Sequence, residues 1–364
     1  MKYTRFTSDY YNVEAYVSRF AISEKPTMYN VAFQVTRKNM SFTEQLNHIQ
    51  GALKEFNNTR IEQAKPVFVR YFLSDAANQL NLLQRSLNNT PCAVSIVEQA
   101  PLNGTKIALW CIFQTDVEIE SSADAFIVKH NGYSHIWNTC LRSSHGKAEE
   151  QTEKLIDDYR ELLRKHNITI ADNCIRTWFF IQNIAAIGNS VSEACKSTFE
   201  KMNIKQPITN LVIEGNHSDA KYIASLDAYA LKGLKSEQIS YLKADVANVD
   251  GTAIQYGDRR QIIVSGAAEK NAEFEYDVCK QADYVIDNIA TLLAKAEASL
   301  SDLASVIIYL RDYSDYKVIK AWADYRLPDV PKIFVQAATG SKSQLIAIET
   351  EALVESKNEK FAEY

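Results

Sequence analysis

One order of elements recurs three times along this chain, and this repeat constrains the fold more than any other feature. Each copy reads as a strand, a long amphipathic helix, an apolar strand ending near Asp or Asn, a shorter helix, a proline and two closing strands. The long helices share an early glutamine and read FTEQLNHIQGALKEF from Phe42, EEQTEKLIDDYRELL from Glu149 and CKQADYVIDNIATLL from Cys279. The 364 residues therefore divide into three α+β units of ordinary domain size.

The strand after each long helix is a nearly continuous apolar run. These strands read PVFVRYFLSD to Asp75, CIRTWFFIQN to Asn183 and SVIIYLRD to Asp312. Such runs are typical of strands covered on both faces of their sheet. Because each unit's own helices cover only one face, the other face must pack against the sister units. The sequence therefore predicts three tandem α+β domains that form an intramolecular pseudo-trimer.

Domain limits are predicted in two linker stretches where the pattern of apolar strands and helices weakens, near 115–125 and near 233–258. This places the domains at residues 1–120, 121–240 and 241–364. Prolines repeat with the same plan, since Pro91, Pro207 and Pro331 each follow the shorter helix and precede the closing strands. Proline disfavours helix in the residue before it, so it suits the end of that helix.

Charge and composition exclude several classes of function. The 40 Lys and Arg residues against 45 Asp and Glu leave a net charge of -5, which provides no basic field for nucleic acid. No segment approaches the 18 or so consecutive apolar residues of a membrane span, and the first residues lack a secretory pattern. The six cysteines form no CxxC pair, so they are interpreted as reduced core residues of a cytoplasmic protein.

Motifs for metals and cofactors are also missing from the sequence. The six histidines include no HExxH or HxH, and they are interpreted as solvated side chains. No GxGxxG, P-loop or GxSxG occurs. We therefore expect no metal and no cofactor, and a small molecule as the partner.

The third unit resembles the Rid superfamily, also called YjgF-like or endoribonuclease L-PSP-like. The matching stretches are IIVSGAA at 262–268, QADYVIDNIATLLAKAEASLSDLASVIIYLRD at 281–312, and Pro331 followed by LIAIETEAL at 345–353. The second and first units are similar through their long helices. The resemblance implies a chorismate-mutase-like α+β fold, and trimers with ligand clefts at the subunit seams. Three linked copies would form a monomeric pseudo-trimer whose seams can diverge.

A narrower resemblance is to chorismatase-like proteins, through IRTWFFIQNI in the second unit and SLSDLASVIIYLRD in the third. Those proteins place a Cys-Arg pair ahead of the closing strand, where Gly340 and Ser341 stand here. Lys342 could replace the missing arginine as a point charge. The alternative is that TGSKSQ is a polar turn.

The same family holds a substrate carboxylate with an arginine just after the proline of the fifth strand. The corresponding residues here are Cys92, Ile208 and Lys332, by their distance from the three prolines. Lys332 keeps a positive charge but lacks the bidentate fork of arginine. Lys332 is therefore a candidate carboxylate ligand, and ordinary deamination is not favoured.

Four further candidates follow from the resemblance or from their surroundings. Glu349 matches a glutamate that orients water, so it could be a general base or acid; otherwise it is a strand carboxylate at a solvated sheet edge. Ser265 and Gly266 match the strand behind the ligand cleft, or mark a bulge or close strand packing. Arg176 on an apolar strand must find an anion, either a ligand or a structural partner, or reach solvent at the end of the strand.

The resulting hypothesis is a diverged Rid-type protein that binds a small carboxylate at an inter-domain seam. It would act as a deaminase or hydrolase on imine or enol-ether substrates, with Glu349 moving a proton. One alternative is a chorismatase-like hydrolase. The other is a non-catalytic metabolite-binding or assembly protein in which the lost arginines mark lost chemistry.

Overall fold

The computed structural model describes residues 1–22, 25–61, 63–87, 91–122, 125–204, 207–245, 249–268 and 276–364. It contains three six-stranded sheets, each with its own helices. Within these ranges, no helix has both the length and the apolar character needed to cross a lipid bilayer.

The first domain contains six strands and two helices. They are β1 (Lys2–Ser8), β2 (Val13–Phe20), β3 (Met28–Val35), α1 (Phe42–Thr59), β4 (Lys65–Leu73), α2 (Ala76–Ser86), β5 (Ala93–Glu98) and β6 (Ile107–Gln114). The second domain repeats this plan with one extra short helix, α4. It comprises β7 (Glu118–Ser121), β8 (Phe126–His130), β9 (Tyr133–Arg142), α3 (Ala148–Lys165), α4 (Ile170–Asn173), β10 (Cys174–Ile181), α5 (Ile184–Lys201), β11 (Thr209–Glu214) and β12 (Ala224–Lys232).

The third domain follows the same order. It comprises β13 (Ile239–Lys243), β14 (Val249–Gln255), β15 (Arg259–Ala267), α6 (Val278–Lys295), β16 (Leu303–Leu310), α7 (Tyr316–Arg326), β17 (Lys332–Gln336) and β18 (Ile346–Glu355). The predicted limits after residues 120 and 240 fall inside β7 and β13, the first strands of the second and third sheets. The sequence predicts that the second helix of each domain is shorter than the first. This is confirmed for α2 and α7, but α5 has 18 residues and packs along α3.

Strand order is identical in the three sheets: β1-β2-β3-β6-β4-β5, β7-β8-β9-β12-β10-β11 and β13-β14-β15-β18-β16-β17. The last pair of each sheet is parallel and the other pairs are antiparallel. A one-residue register shift also recurs, at Val67, Ile175 and Ala304. The predicted threefold repeat is therefore confirmed down to the pairing of single residues.

The shared glutamine has the same structural task in each domain. The side-chain oxygens of Gln45, Gln151 and Gln281 accept hydrogen bonds from the backbone of Lys106, Ile223 and Leu345, respectively. Each acceptor site lies near the start of the long helix, and each donor lies just before the closing strand. The repeated glutamine thus ties the helix to that strand by satisfying a backbone N–H group.

The inner faces of the three sheets pack together in one apolar core. Phe68 of the first domain lies 4.6 Å from Trp137 and 6.5 Å from Trp178 of the second, between ring centroids. Ile307 and Tyr309 of the third domain belong to the same buried cluster. The helix-facing sides of the second and third sheets form separate clusters. This confirms the predicted pseudo-trimer, in which sister domains cover the faces that the helices leave bare.

Candidate functional site

The three domains meet at three seams. The edge strands β5 and β11 pack against β9 and β15, the third strand of the next domain, whereas at the remaining seam β16 packs against β3 and β17 is joined to β3 by a side-chain hydrogen bond. At the last seam, the Gln34 amide donates to the Lys332 carbonyl at 3.0 Å. At the first, the Cys140 thiol lies 3.6 Å from the Val94 carbonyl.

The seam between the third and first domains holds a cleft of about 270 Å³, here called the third–first cleft. Lys332 and Phe334 of β17 and Tyr316 and Lys320 of α7 line one side, together with the carboxylates of Asp324 and Asp329. Tyr16 of β2 lines the other side, with Gln34. Both domains therefore contribute polar and aromatic groups to one small cavity.

Lys332 is the half-buried cation of this cleft. Its ammonium group donates to the Leu327 carbonyl. Burial lowers the pKa of Lys332, and the charge of Lys320 acts in the same direction, whereas Asp324 and Asp329 oppose the shift. Among the described residues, no carboxylate lies within 4 Å of its nitrogen, while Lys320 pairs with Asp324 at 2.5 Å. Lys332 is thus a positive charge without a direct counterion.

Aromatic side chains form much of the remaining wall. The rings of Tyr316 and Phe334 meet edge to face, with centroids 5.5 Å apart. Burial raises the pKa of Tyr316 to about 12, and it also raises the pKa of Tyr16. Both phenols therefore stay protonated near neutral pH. The Tyr16 hydroxyl donates to the Glu14 carboxylate at 3.4 Å, and the Tyr316 hydroxyl can donate a hydrogen bond to a ligand.

The seam between the second and third domains holds a larger cleft of about 380 Å³, the second–third cleft. It is lined by Asn210 of β11, Asp250 of β14, Ser265 and Gly266 of β15, and by the loop that contains Ser341. Burial raises the pKa of Asp250 to about 6, although the charges of Arg176 and Lys243 oppose the shift. The Oδ1 atom of Asp250 is buried and has no hydrogen-bond partner among the described residues.

Glu349 and Arg176 lie in neither cleft but between the sheets. The Arg176 guanidinium donates to the Glu349 carboxylate at 2.7 Å, and the Trp178 indole donates to it at 2.9 Å. Arg70 of the first domain lies 3.7 Å from the other carboxylate oxygen. Glu349 is only 3% exposed in a central strand, so the expected solvated sheet edge is wrong. Its partners favour a structural role over proton transfer.

Comparison with known proteins shows what this chain is similar to. No family model matches the chain. A RutC family protein from Pyrococcus abyssi is 33% identical over 81 residues, which are 22% of this chain and 64% of that protein. The match thus spans less than two thirds of that relative's length. A crystal structure of chorismatase is 13% identical and superposes over 92% of this chain and 99% of its own, with a TM-score of 0.61.

The chain therefore has the fold of three tandem YjgF-like domains. The resemblance to the Rid superfamily is thereby confirmed, as is the narrower resemblance in fold to chorismatase. A YjgF-family structure from Neisseria meningitidis is 18% identical over 33% of this chain and 96% of its own, with a TM-score of 0.27.

Strand register gives the residue correspondence among the YjgF-like domains. Glu349, Asp227 and Trp110 occupy equivalent positions in the closing strands of the three domains. The equivalents of Lys332 are Asn210 and Val94 rather than Ile208 and Cys92. The correspondence predicted by distance from the prolines is therefore wrong by two residues in the first and second domains, because the loops between the proline and the strand differ in length. Tyr16 and Asp250 are also equivalent, because the residues directly opposite them on β3 and β15 occupy matching positions in the two sheets.

The remaining candidates lie at the second–third cleft or beside it. Ser265 and Gly266 line that cleft. A Cβ atom on Gly266 would lie 2.6 Å from the Val249 side chain, so close strand packing accounts for this glycine. Lys342 is exposed and does not line either cleft. The structure therefore separates Lys332 from Ser265 and Gly266, whereas Ser265 and Glu349 are direct cross-strand neighbours on β15 and β18.

The roles of two buried groups were not predicted from the sequence. Arg70 donates to Asp227 at 3.0 Å and to the Ser95 hydroxyl at 3.0 Å, and it is 0% exposed. Its position in the apolar strand PVFVRYFL was the available signal. His130 and His135 are buried with their Nε2 atoms 2.6 Å apart, so the interpretation of solvated histidines is wrong for this pair.

Proposed function

We propose that this protein binds a small carboxylate metabolite in the third–first cleft. The observation that carries the proposal is the Lys332 ammonium group, which is half-buried in this cleft without a direct counterion among the described residues. A partly buried charge is stabilised by an opposite charge that comes within hydrogen-bonding distance. A ligand carboxylate would supply it.

The other walls suit a small molecule with both polar and apolar parts. The volume of about 270 Å³ lies just below the range of sites for drug-sized ligands. The Tyr316 hydroxyl can donate a hydrogen bond, and Phe334 offers an aromatic surface. Lysine binds a carboxylate as a point charge, so we expect looser orientation of the ligand than an arginine fork would impose.

Binding is better supported than turnover. A deaminase or hydrolase needs a group that moves a proton at the ligand, and Glu349 is instead held by Arg176 and Trp178 away from this cleft. Hydrolysis of an enol ether such as chorismate is the second candidate. It rests on the similarity of fold to chorismatase along 92% of the chain.

Ligand-observed NMR with pyruvate, benzoate and chorismate tests the proposal. We expect at least one carboxylate to bind the wild-type protein and the Lys317→Met variant, whose lysine is exposed on α7 outside the cleft. Binding should be lost in Lys332→Met. Equal binding by all three proteins would contradict the proposal, as would no binding of any carboxylate. Release of pyruvate from chorismate in the same samples would establish the hydrolase alternative.

A further inference from the structure

We infer that the second–third cleft binds a protonated primary amine, and not a carboxylate. This cleft is separate from the third–first cleft, so the inference does not rest on the proposed function. It follows from one half-buried carboxylate with a buried, unpartnered oxygen, from the absence of a cation among the described lining residues, and from the correspondence between the two clefts.

Asp250 is the only formally charged side chain among the described residues that line the cleft. The other lining side chains are mainly hydroxyl and amide groups, including those of Asn210, Ser265 and Ser341. A ligand carboxylate would meet the Asp250 charge without a compensating cation. An ammonium group would instead neutralise that charge.

The cations near Asp250 do not form ion pairs with it. Arg176 of β10 is engaged by Glu349 at 2.7 Å, and Lys243 of β13 is the exposed cross-strand neighbour of Asp250. Within the described part of the chain, no Lys or Arg nitrogen lies within 4 Å of the Asp250 carboxylate, and its Oδ1 atom is unpartnered. The charge therefore needs a partner that the described side chains do not supply.

The arrangement of acceptors suits an ammonium group. Asp250 and Ser265 are directly opposite each other on β14 and β15, so their side chains lie on the same face of the sheet. Asn210 lines the cleft from β11 of the second domain, across the seam, and its amide oxygen keeps one lone pair beside the hydrogen bond that it accepts from the Thr177 hydroxyl at 2.9 Å. An ammonium group has three donors and no acceptor, so carboxylate, hydroxyl and amide oxygens can satisfy it together.

Comparison of the two clefts shows that their charge differs at two equivalent positions. Lys332 of the third–first cleft corresponds to Asn210 here, and Tyr16 corresponds to Asp250. The second–third cleft has thus replaced a cation by a neutral amide and a phenol by a carboxylate. Covalent linkage of the domains permits this difference, since the seams of one chain need not be identical.

Calorimetric titration with putrescine near neutral pH tests the inference, with butyrate as the anionic probe. We expect putrescine to bind wild type and Asp245→Asn, a control whose exposed carboxylate lies outside the cleft. Asp250→Asn should weaken putrescine binding about tenfold or more, which is the scale of one lost charge-assisted contact. Equal affinity in wild type and Asp250→Asn would overturn the inference, as would no binding of putrescine to the wild type.

Asn210→Lys provides a second variant that does not remove the carboxylate. It installs the cation that occupies the equivalent position of the third–first cleft. We expect it to lose putrescine binding about tenfold or more, because its ammonium group would occupy the Asp250 site. Unchanged putrescine affinity in this variant would place the amine elsewhere and overturn the inference.

Discussion

Arg70 and Asp227 form a salt bridge of 3.0 Å that joins the first domain to the second inside the shared core. The two side chains are 0% and 2% exposed, respectively. The Ser95 hydroxyl also contacts the Asp227 carboxylate, and the Cys140 backbone N–H donates to it at 2.7 Å. Asp227 therefore has the additional hydrogen bonds that a buried carboxylate requires, whereas the Nη1 atom of Arg70 has no hydrogen-bond partner among the described residues.

Removal of one partner should strongly destabilise the protein. We expect Arg70→Met to lower the free energy of unfolding by about 3 to 5 kcal/mol, because it leaves Asp227 buried without its counterion. Lys154→Met is the matched control, since Lys154 pairs with Asp158 on the exposed face of α3 and should change stability by about 0.5 kcal/mol or less. Chemical denaturation measures both. A loss for Arg70→Met no larger than for the control would contradict this assignment.

Glu349→Gln separates a structural role from a catalytic one. We expect the free energy of unfolding to fall by about 3 kcal/mol, because the Arg176 charge loses its counterion. Carboxylate binding in the third–first cleft should be unchanged, since Glu349 does not line it. Denaturation and NMR titration of the same variant check both points. Unchanged stability together with lost turnover of chorismate or a 2-iminoacid would instead assign Glu349 to proton transfer.

Asp250 predicts a pH-dependent change in stability. Burial raises its pKa to about 6 in the folded protein, above the value of about 3.9 for an unfolded chain. The folded state then binds more protons between these values, so the contribution of Asp250 becomes unfavourable as pH rises through this window. Asp250→Asn should therefore be more stable than wild type above about pH 6, by at most about 3 kcal/mol. The difference should vanish below about pH 4.

Denaturation at several pH values measures this effect. Asp245→Asn is the control, because Asp245 is exposed and lies outside the second–third cleft. Its difference from wild type should not vary in this way. A pH-independent difference for Asp250→Asn would mean that its carboxylate is already compensated in the folded state.

The fold could be predicted from the sequence because the patterns that indicate its strands and helices are local. Apolar strands such as CIRTWFFIQN require cover on two faces, and the repeated glutamines mark the start of each long helix. These signals recur three times in the same order. They therefore specified both the repeat and the packing of the three sheets, which the shared core bears out.

The site was harder to predict from the sequence because its residues come from different domains. Tyr16 and Lys332 are 316 residues apart in the chain and meet only across a seam. Nothing near Asp250 in the sequence indicates that Asn210 will face it. Correspondence by prolines also fails, since loop length before β5 and β11 differs from that before β17, whereas strand register does not depend on the loops.

Calorimetric titration of chorismate and pyruvate into wild type, Lys332→Met, Lys332→Arg and Lys317→Met tests the central claim most directly. We predict that at least one carboxylate binds wild type and Lys317→Met alike, loses about tenfold or more in affinity in Lys332→Met, and is rescued by Lys332→Arg, which restores the charge. Equal affinity for Lys332→Met and Lys317→Met would contradict the claim that Lys332 holds a ligand carboxylate at the seam between the third and first domains.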